Sequence, residues 1–479
     1  MAGSSGLVVL LGCRAATEKE TFMEREIPRA RVAPVKLEAH GHVRIDNYYW
    51  LRERDNPEVT AYLEAENDHT DAVMAHTEEL EEELFQEIKG RIKQDDSTVP
   101  YLRQGYFYYR RFEDGKEYPI YCRKKGYCRK KGALTAAEAV MLDVNELSRG
   151  HEFFQVGSLA VRPRGDLLAY AEDTVGRRIY TIRFKDLSSG DCLAERIPDV
   201  TGNMTWANDD RTLFYAKQDP TTLRSYRIYR HVLGTPVASD ELVFEEEDDT
   251  FSCHVFKTKS RQYVMISSEQ TVSSEYRYLD ADDPGGSFVV FQPRERDHEY
   301  DVDHLGDHFY VRTNHEAKNF RLMRTPVGHT AKESWEEVIP HRSDVLLEDF
   351  ELFGSHLVVV ERSRGLIQLR VRPWSGEGEH YLEFEEPAYL AYPTANYEPD
   401  STRLRFSYES MTTPDSTFDY DMVSREKVLL KEEEVLGGFD RRNYRTERLH
   451  ARAADGREVP ISIVYRKDFQ RDGQSPMLL

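Results

Sequence analysis

Cysteine is scarce in this chain. Five are spread over 479 residues, at Cys13, Cys122, Cys128, Cys192 and Cys253. They are too few and too scattered for a disulfide framework, and such usage suits a reducing compartment. Long apolar runs are missing as well: no stretch of about 18 apolar residues occurs, which excludes a membrane-crossing helix. Positive charge is in deficit, 65 Lys and Arg against 86 Asp and Glu for a net −21, and that balance disfavours nucleic acid as a partner. The acid falls in runs at Glu78–Glu83, Glu245–Asp249 and Lys431–Glu434. These read as solvated surface, the sharper alternative being a field that gathers basic peptides. Complete metal-ligand sets are lacking too. His40 and His42 have no third ligand nearby, and His298 and His304 are six apart in a strand-and-turn region, whereas the zincin helix needs two histidines four apart. No metal and no cofactor is expected.

What is present is a repeat. An aromatic or aliphatic run recurs seven times: Tyr106–Tyr109, Leu167–Tyr170, Leu213–Tyr215, Tyr263–Ile266, Phe309–Val311, Leu357–Val360 and Leu404–Tyr408. From the second run onward the step is about 45 to 50 residues, the period of a repeat architecture. About ten residues after each run comes a second strand-like run, such as Ile179–Phe184 or Leu366–Val371, and several units add a third, such as Leu242–Phe244, Phe288–Phe291 or Val428–Leu430. Three or four short strands in each of seven units predict a mostly-β fold, a seven-bladed β-propeller, although the WD dipeptide and Asp boxes are absent. One unit carries a tandem hexamer, Tyr-Cys-Arg-Lys-Lys-Gly at 121–126 and again at 127–132. It reads as a coding duplication at a strand end, and an insertion of even length keeps the inward and outward faces in place.

Four segments follow from this beat. Residues 1–30 are an N-terminal extension of uncertain role. Leu7–Leu11 leads into Leu-Leu-Gly-Cys at Cys13, like a lipoprotein cleavage box, but Met1–Gly6 has no Lys or Arg. A true start at Met23 explains the stretch equally well. The chain is therefore read as cytoplasmic, with export as a lipoprotein through Cys13 as the alternative. Residues 31–95 form an extended and helical segment. Asn56-Pro57-Glu58 is a helix start, and Leu80, Leu84, Ile88 and Ile92 make an apolar stripe at i, i+4. Two helices are expected within 57–93, with a break near Asp68–Asp71. Residues 96–435 are the propeller. Residues 436–479 open a further domain: Leu436-Gly437-Gly438 is a linker, Tyr444–His450 a strand, Asp455-Gly456 a turn, and Val459, Ile461, Ile463 and Tyr465 alternate along a second strand. Val464 interrupts the polar face and predicts cover on both sides. About 45 residues do not make an independent domain.

The order of these segments, and several motifs within them, resemble the prolyl oligopeptidase family of serine peptidases, in particular its oligopeptidase B branch. The likeness rests on His40–Arg52, Trp206-Ala207-Asn208-Asp209, Tyr229–Pro236, Glu246–Thr250, Asp297–Tyr300, Ser410–Asp415, and Asp455-Gly456 with Val459-Pro460. It implies a propeller capping an α/β-hydrolase domain, with cleavage of short basic peptides after Arg or Lys. It also implies a Ser nucleophile on a G-x-S-x-G elbow, followed in the chain by Asp and His. No G-x-S-x-G occurs in these residues, so no catalytic residue is assigned here. The chain reads as the non-catalytic front part of such a peptidase, inactive alone, with the hydrolase half absent or supplied in trans. The alternatives are a stand-alone propeller that binds peptides or proteins, and a propeller glycosidase with paired carboxylates across its channel.

Overall fold

A computed structural model describes residues 27–126 and 136–478. The chain divides into two compact units, Met1–Arg91 and Ile92–Leu479. Cys13, Met23, Cys128 and the second hexamer copy lie outside the described residues. Among the described residues no helix is long and apolar enough to cross a membrane.

In the first unit, strands Val35–Ala39 and His42–Asp46 pair as a hairpin. His40 and Gly41 both take positive φ, 51° and 77°, so the His40-Gly41 pair makes the tight turn whose twist suits a two-residue hairpin loop. Trp50 is buried, donates from its indole N–H to the Arg31 carbonyl at 2.8 Å, and carries the Arg31 guanidinium 4.9 Å over its ring. Helix α1 (Pro57–Met74) begins as its sequence dictates: the Asn56 side chain accepts from Glu58 N at 2.9 Å and Pro57 occupies the first position. The expected break at Asp68–Asp71 is not there. Thr70 satisfies its hydroxyl on the Glu66 carbonyl one turn back, so this polar stretch stays helical. The interruption comes later, as a tight turn at Ala75–Thr77, where Thr77 Oγ1 donates to the Met74 carbonyl. Helix α2 (Glu78–Gly90) follows, and its stripe faces outward, with Leu84 and Ile88 exposed by 47% and 61%.

The second unit contains seven four-stranded antiparallel sheets, each built in chain order. They are blades 1 to 7, spanning 101–143, 155–200, 204–245, 252–292, 300–339, 345–381 and 389–432. The seven periodic runs are the second strands. These are buried on both faces, as in Leu167–Asp173 and His356–Ser363, and a strand covered on both sides is apolar without alternation. Adjacent blades share buried clusters. Tyr108 and Tyr170 join blades 1 and 2, Phe184 and Trp206 blades 2 and 3, and Phe214 and Val255 blades 3 and 4. Phe291 and Phe309 join blades 4 and 5, Tyr310 and Val359 blades 5 and 6, and Val360 and Phe406 blades 6 and 7. Blades 7 and 1 share no such cluster among the described residues. Their seam holds a cavity of about 430 Å³ and is tied by polar contacts. Arg405 donates to the Pro100 carbonyl at 2.8 Å, Lys93 pairs with Glu434 at 3.0 Å, and Lys431 reaches Asp96 and the Ser97 carbonyl.

Beyond the ring, Gly437 and Gly438 both take positive φ. Strands Tyr444–Arg452 and Glu458–Arg466 then form a hairpin around Gly456. Leu449, Val459 and Ile461 are exposed, as expected of a strand whose two-sided cover would come from a further domain.

Candidate functional site

The first strand of each blade faces the centre of the ring, and together with the turns that follow they enclose a cavity of about 540 Å³. Besides Arg103 and Arg261, its charged groups come in pairs two residues apart: Lys257 and Lys259 from blade 4, Asp301 and Asp303 from blade 5, Asp349 and Glu351 from blade 6. In blades 5 and 6 the spacing is that of a strand, whose alternate side chains share one face, while in blade 4 Lys257 ends its strand and Lys259 lies in the turn after it. The residues between them in the first two pairs, Thr258 and Val302, are buried.

Lys259 pairs with Glu351 and sits 3.8 Å over the Phe353 ring. One Asp303 oxygen accepts from the backbone N–H of Lys259 at 2.9 Å and of His304 at 2.8 Å. Burial dominates the electrostatics. It pushes Asp303 up to about 6, raises Asp349 and Glu351, and lowers Lys259. Lys257 donates to Asn208 Oδ1 at 2.8 Å and is pushed down to about 8, by burial first and by the nearby Arg103 and Arg261 second. At the mouth, Arg261 donates to Glu398 Oε1 at 2.8 Å and to the Tyr397 carbonyl at 3.2 Å. The same Glu398 oxygen accepts from Gln104 N at 2.7 Å. Blade 4 is thereby strapped across the ring to blades 7 and 1.

A raised carboxyl pKa means that the folded state holds its proton more tightly than the unfolded chain does. The stabilising contribution of protonated Asp303 is complete below the unfolded value and is lost as pH rises through about 6. Asp303→Asn keeps the acceptor oxygen without the charge. It is expected to stabilise the ring by about 2 kcal/mol at pH 7.5 and by almost nothing near pH 4. Thermal midpoints at the two pH values check this, and a gain that is equal at both would refute the ionisation argument.

The residues singled out by sequence are mostly structural ties. His298 lies 2.9 Å from the Thr313 hydroxyl, and His304 lies 2.9 Å from Ser260 and is lowered to about 4 by burial. They serve separate partners. Trp206 donates to the Ala160 carbonyl of blade 2 at 2.9 Å. Tyr229 stacks on Tyr215, and His231 is held between Asp240 and Glu195. Thr412 and Thr413 both donate to Glu386. Glu246 departs from the reading of its acidic run as solvated surface: it is buried, with Arg294 at 2.6 Å and Ser268 on its carboxylate. The channel acids stand on neighbouring blades 5 and 6, not across the ring from one another. Sequence reasoning named none of Lys257, Lys259, Glu351 or Glu398, whereas Asp301 and Asp303 fall in the Arg296–His304 stretch that it reads as buried or propeller-lining polar residues. The available signal was charge at i and i+2 shortly before the runs at Tyr263, Phe309 and Leu357.

Residues 28–433 match the family described as prolyl oligopeptidase, N-terminal beta-propeller domain. The chain is 46% identical over 452 residues to dipeptidyl aminopeptidase BI of Pseudoxanthomonas mexicana, covering 92% of this chain and 62% of that protein. It is 33% identical over 457 residues to protease 2 of Moraxella lacunata, covering 95% and 65%. Among solved structures, oligopeptidase B from Leishmania major superposes with a TM-score of 0.85 at 30% identity, covering 93% of this chain and 66% of that one. Oligopeptidase B from Trypanosoma brucei, with covalently bound antipain in its closed form, gives 0.83 at 28% identity, covering 93% and 66%. The chain thus spans 62% and 65% of the length of these two curated relatives.

Proposed function

Because the chain belongs to the prolyl oligopeptidase family and carries its N-terminal β-propeller, we propose that it is the substrate-gating cap of a serine-type oligopeptidase that cleaves short peptides after Arg or Lys. The observation that carries this reading is the central cavity. At about 540 Å³ it is of a size for a small ligand or short peptide and far too small for a folded protein. The Arg261–Glu398 strap narrows it further. Its acidic wall of Asp301, Asp303 and Asp349 complements a basic side chain.

The chemistry would belong to an α/β-hydrolase domain on the same polypeptide or on a second one. There a Ser on a G-x-S-x-G elbow attacks the scissile carbonyl, His takes its proton, and backbone N–H groups hold the oxyanion. The residues of this chain would exclude bulk water and large substrates and orient what enters. The exposed apolar face of α2 and the exposed face of the Tyr444–Arg466 hairpin are each proposed to pack on that domain. The compartment proposed is the cytoplasm. A second reading, release of dipeptides from free N-termini, draws on the name of the 46% identical relative.

The 479-residue chain alone is expected to give no turnover of Arg or Lys esters and amides. A chimera that continues into the C-terminal remainder of the Pseudoxanthomonas relative is expected to cleave an N-blocked Arg amide. Cleavage confined to peptides with a free N-terminus, two residues in, would favour the second reading. Turnover by the isolated chain that survives rigorous removal of contaminating proteases would overturn both.

A further inference from the structure

We propose that Lys257, Arg103 and Arg261 form a carboxylate-binding site in the central cavity, and that its ligand is the free C-terminus of a short peptide. The inference rests on reading the ring as a peptide cap and adds the end by which the peptide is held.

The first argument is the unequal treatment of two lysines. Lys257, the last residue of its strand, and Lys259, in the turn that follows, line one cavity. Lys259 has a carboxylate, Glu351. Lys257 has none among the described residues; its hydrogen-bond acceptor is the neutral amide oxygen of Asn208 at 2.8 Å. That amide is locked, since its nitrogen donates to the Arg261 carbonyl at 3.1 Å and to Asp282 at 2.8 Å. It therefore keeps its oxygen toward the lysine, and one of three ammonium donors is used. Arg103 repeats the pattern. Its guanidinium lies 5.1 Å over the Tyr397 ring and forms no ion pair among the described residues. Arg261 is committed through Nη2 and leaves its other donors available.

The second argument is cost. Buried charge is normally paired, and this chain has 86 acidic residues against 65 basic ones. Lys257 is half-buried and Arg103 exposed, and two cations without a carboxylate among the described residues, beside a third in one cavity, are an arrangement an anion would relieve. Burial and the two arginines push Lys257 down to about 8, as expected of a site lacking its counter-charge, with Asp282 and Asp209 only partly offsetting them.

The third argument selects the anion. The wall from neighbouring blades 5 and 6 carries Asp301, Asp303, Asp349 and Glu351, of which Asp301 pairs with Arg312 and Glu351 with Lys259. That wall repels a compact multivalent anion such as phosphate. It accepts the cationic part of a molecule whose other end is a carboxylate. A short peptide with a basic residue and a free C-terminus has that charge pattern, and its planar carboxylate suits the guanidinium fork.

The test is isothermal titration calorimetry of the 479-residue chain with Arg-Ala-Ala as the free acid and as its C-terminal amide. The acid is expected to bind about tenfold more tightly or better. Lys257→Met should abolish that preference, Lys257→Arg should keep it, and Arg103→Gln should reduce it, with thermal midpoints confirming that each variant is folded. Equal binding of acid and amide, binding of neither, or a preference that survives in folded Lys257→Met would overturn the site. Displacement of the acid by equimolar inorganic phosphate would overturn the choice of ligand. Loss of the acid–amide difference leaves the cap reading standing, because that reading is tested by the chimera's turnover.

Discussion

Replacing His231 with alanine is expected to destabilise the propeller by about 3–5 kcal/mol, measured by urea unfolding. The imidazole is fully buried and lies 2.7 Å from Asp240 on one side and 2.7 Å from Glu195 on the other. Glu195 belongs to the outer strand of blade 2 (Cys192–Val200) and His231 to the third strand of blade 3 (Ser225–Val232), so the ring nitrogens join two blades. Asp240 also takes the Tyr215 hydroxyl at 2.8 Å, and Glu195 takes the Gly234 N–H at 3.0 Å. Removing the histidine leaves two acids facing a void beside Phe184, so a packing loss adds to the loss of two charge-assisted hydrogen bonds. His231→Gln, which keeps some hydrogen bonding and volume, should lose about half as much. A cost below about 1 kcal/mol for His231→Ala would mean that the blades are held by their apolar clusters alone.

That histidine also illustrates how legible this chain is. The beat of second strands was readable because burial on both faces writes an unbroken apolar run, such as Leu213-Phe214-Tyr215. The first strands were not read as a class. Each has one face toward the channel, so Tyr300–Leu305 alternates buried with half-buried residues and its Asp and His positions look like loop. The channel was hidden for the same reason. Lys257 and Glu351 acquire a role only when seven separated segments meet at one axis, and no local spacing encodes that meeting. The helix break falls later than the sequence implies because a polar stretch is not in itself a weak one: Thr70 satisfies itself within the helix. The family-like motifs were legible as sequence but not as physics. Trp206, His231, Glu246 and Thr412 turn out to fix blade to blade or strand to loop, and of the four Trp206 alone also lines the cavity.

Arg405→Ala is expected to be as damaging as the loss of His231, for a reason specific to the seam. Blades 7 and 1 share no buried apolar cluster among the described residues, and each blade is built from its own contiguous chain, so polar ties, beside the partly exposed Tyr101–Tyr397 ring contact at 5.0 Å, carry ring closure. Arg405 is the most buried of them. Its Nε and Nη2 bind the two oxygens of Asp419 at 2.8 and 3.2 Å, while Nη1 donates across the seam to the Pro100 carbonyl at 2.8 Å. Both side chains are about nine-tenths buried, with 10% and 9% exposure. Alanine would leave a buried carboxylate without its guanidinium and detach the start of blade 1, at a cost of about 3–5 kcal/mol. The remaining ties are weaker replacements: Lys93–Glu434 is exposed, and an exposed pair contributes about 0–1 kcal/mol. Because the damage comes from a buried carboxylate that loses its guanidinium, Arg405→Met combined with Asp419→Leu should recover more than half of it. Urea unfolding of the single and double variants measures both quantities. A double variant no better than Arg405→Ala would assign the loss to the Pro100 contact instead of to the ion pair. A single variant within about 1 kcal/mol of the parent would mean that the ring closes without this tie.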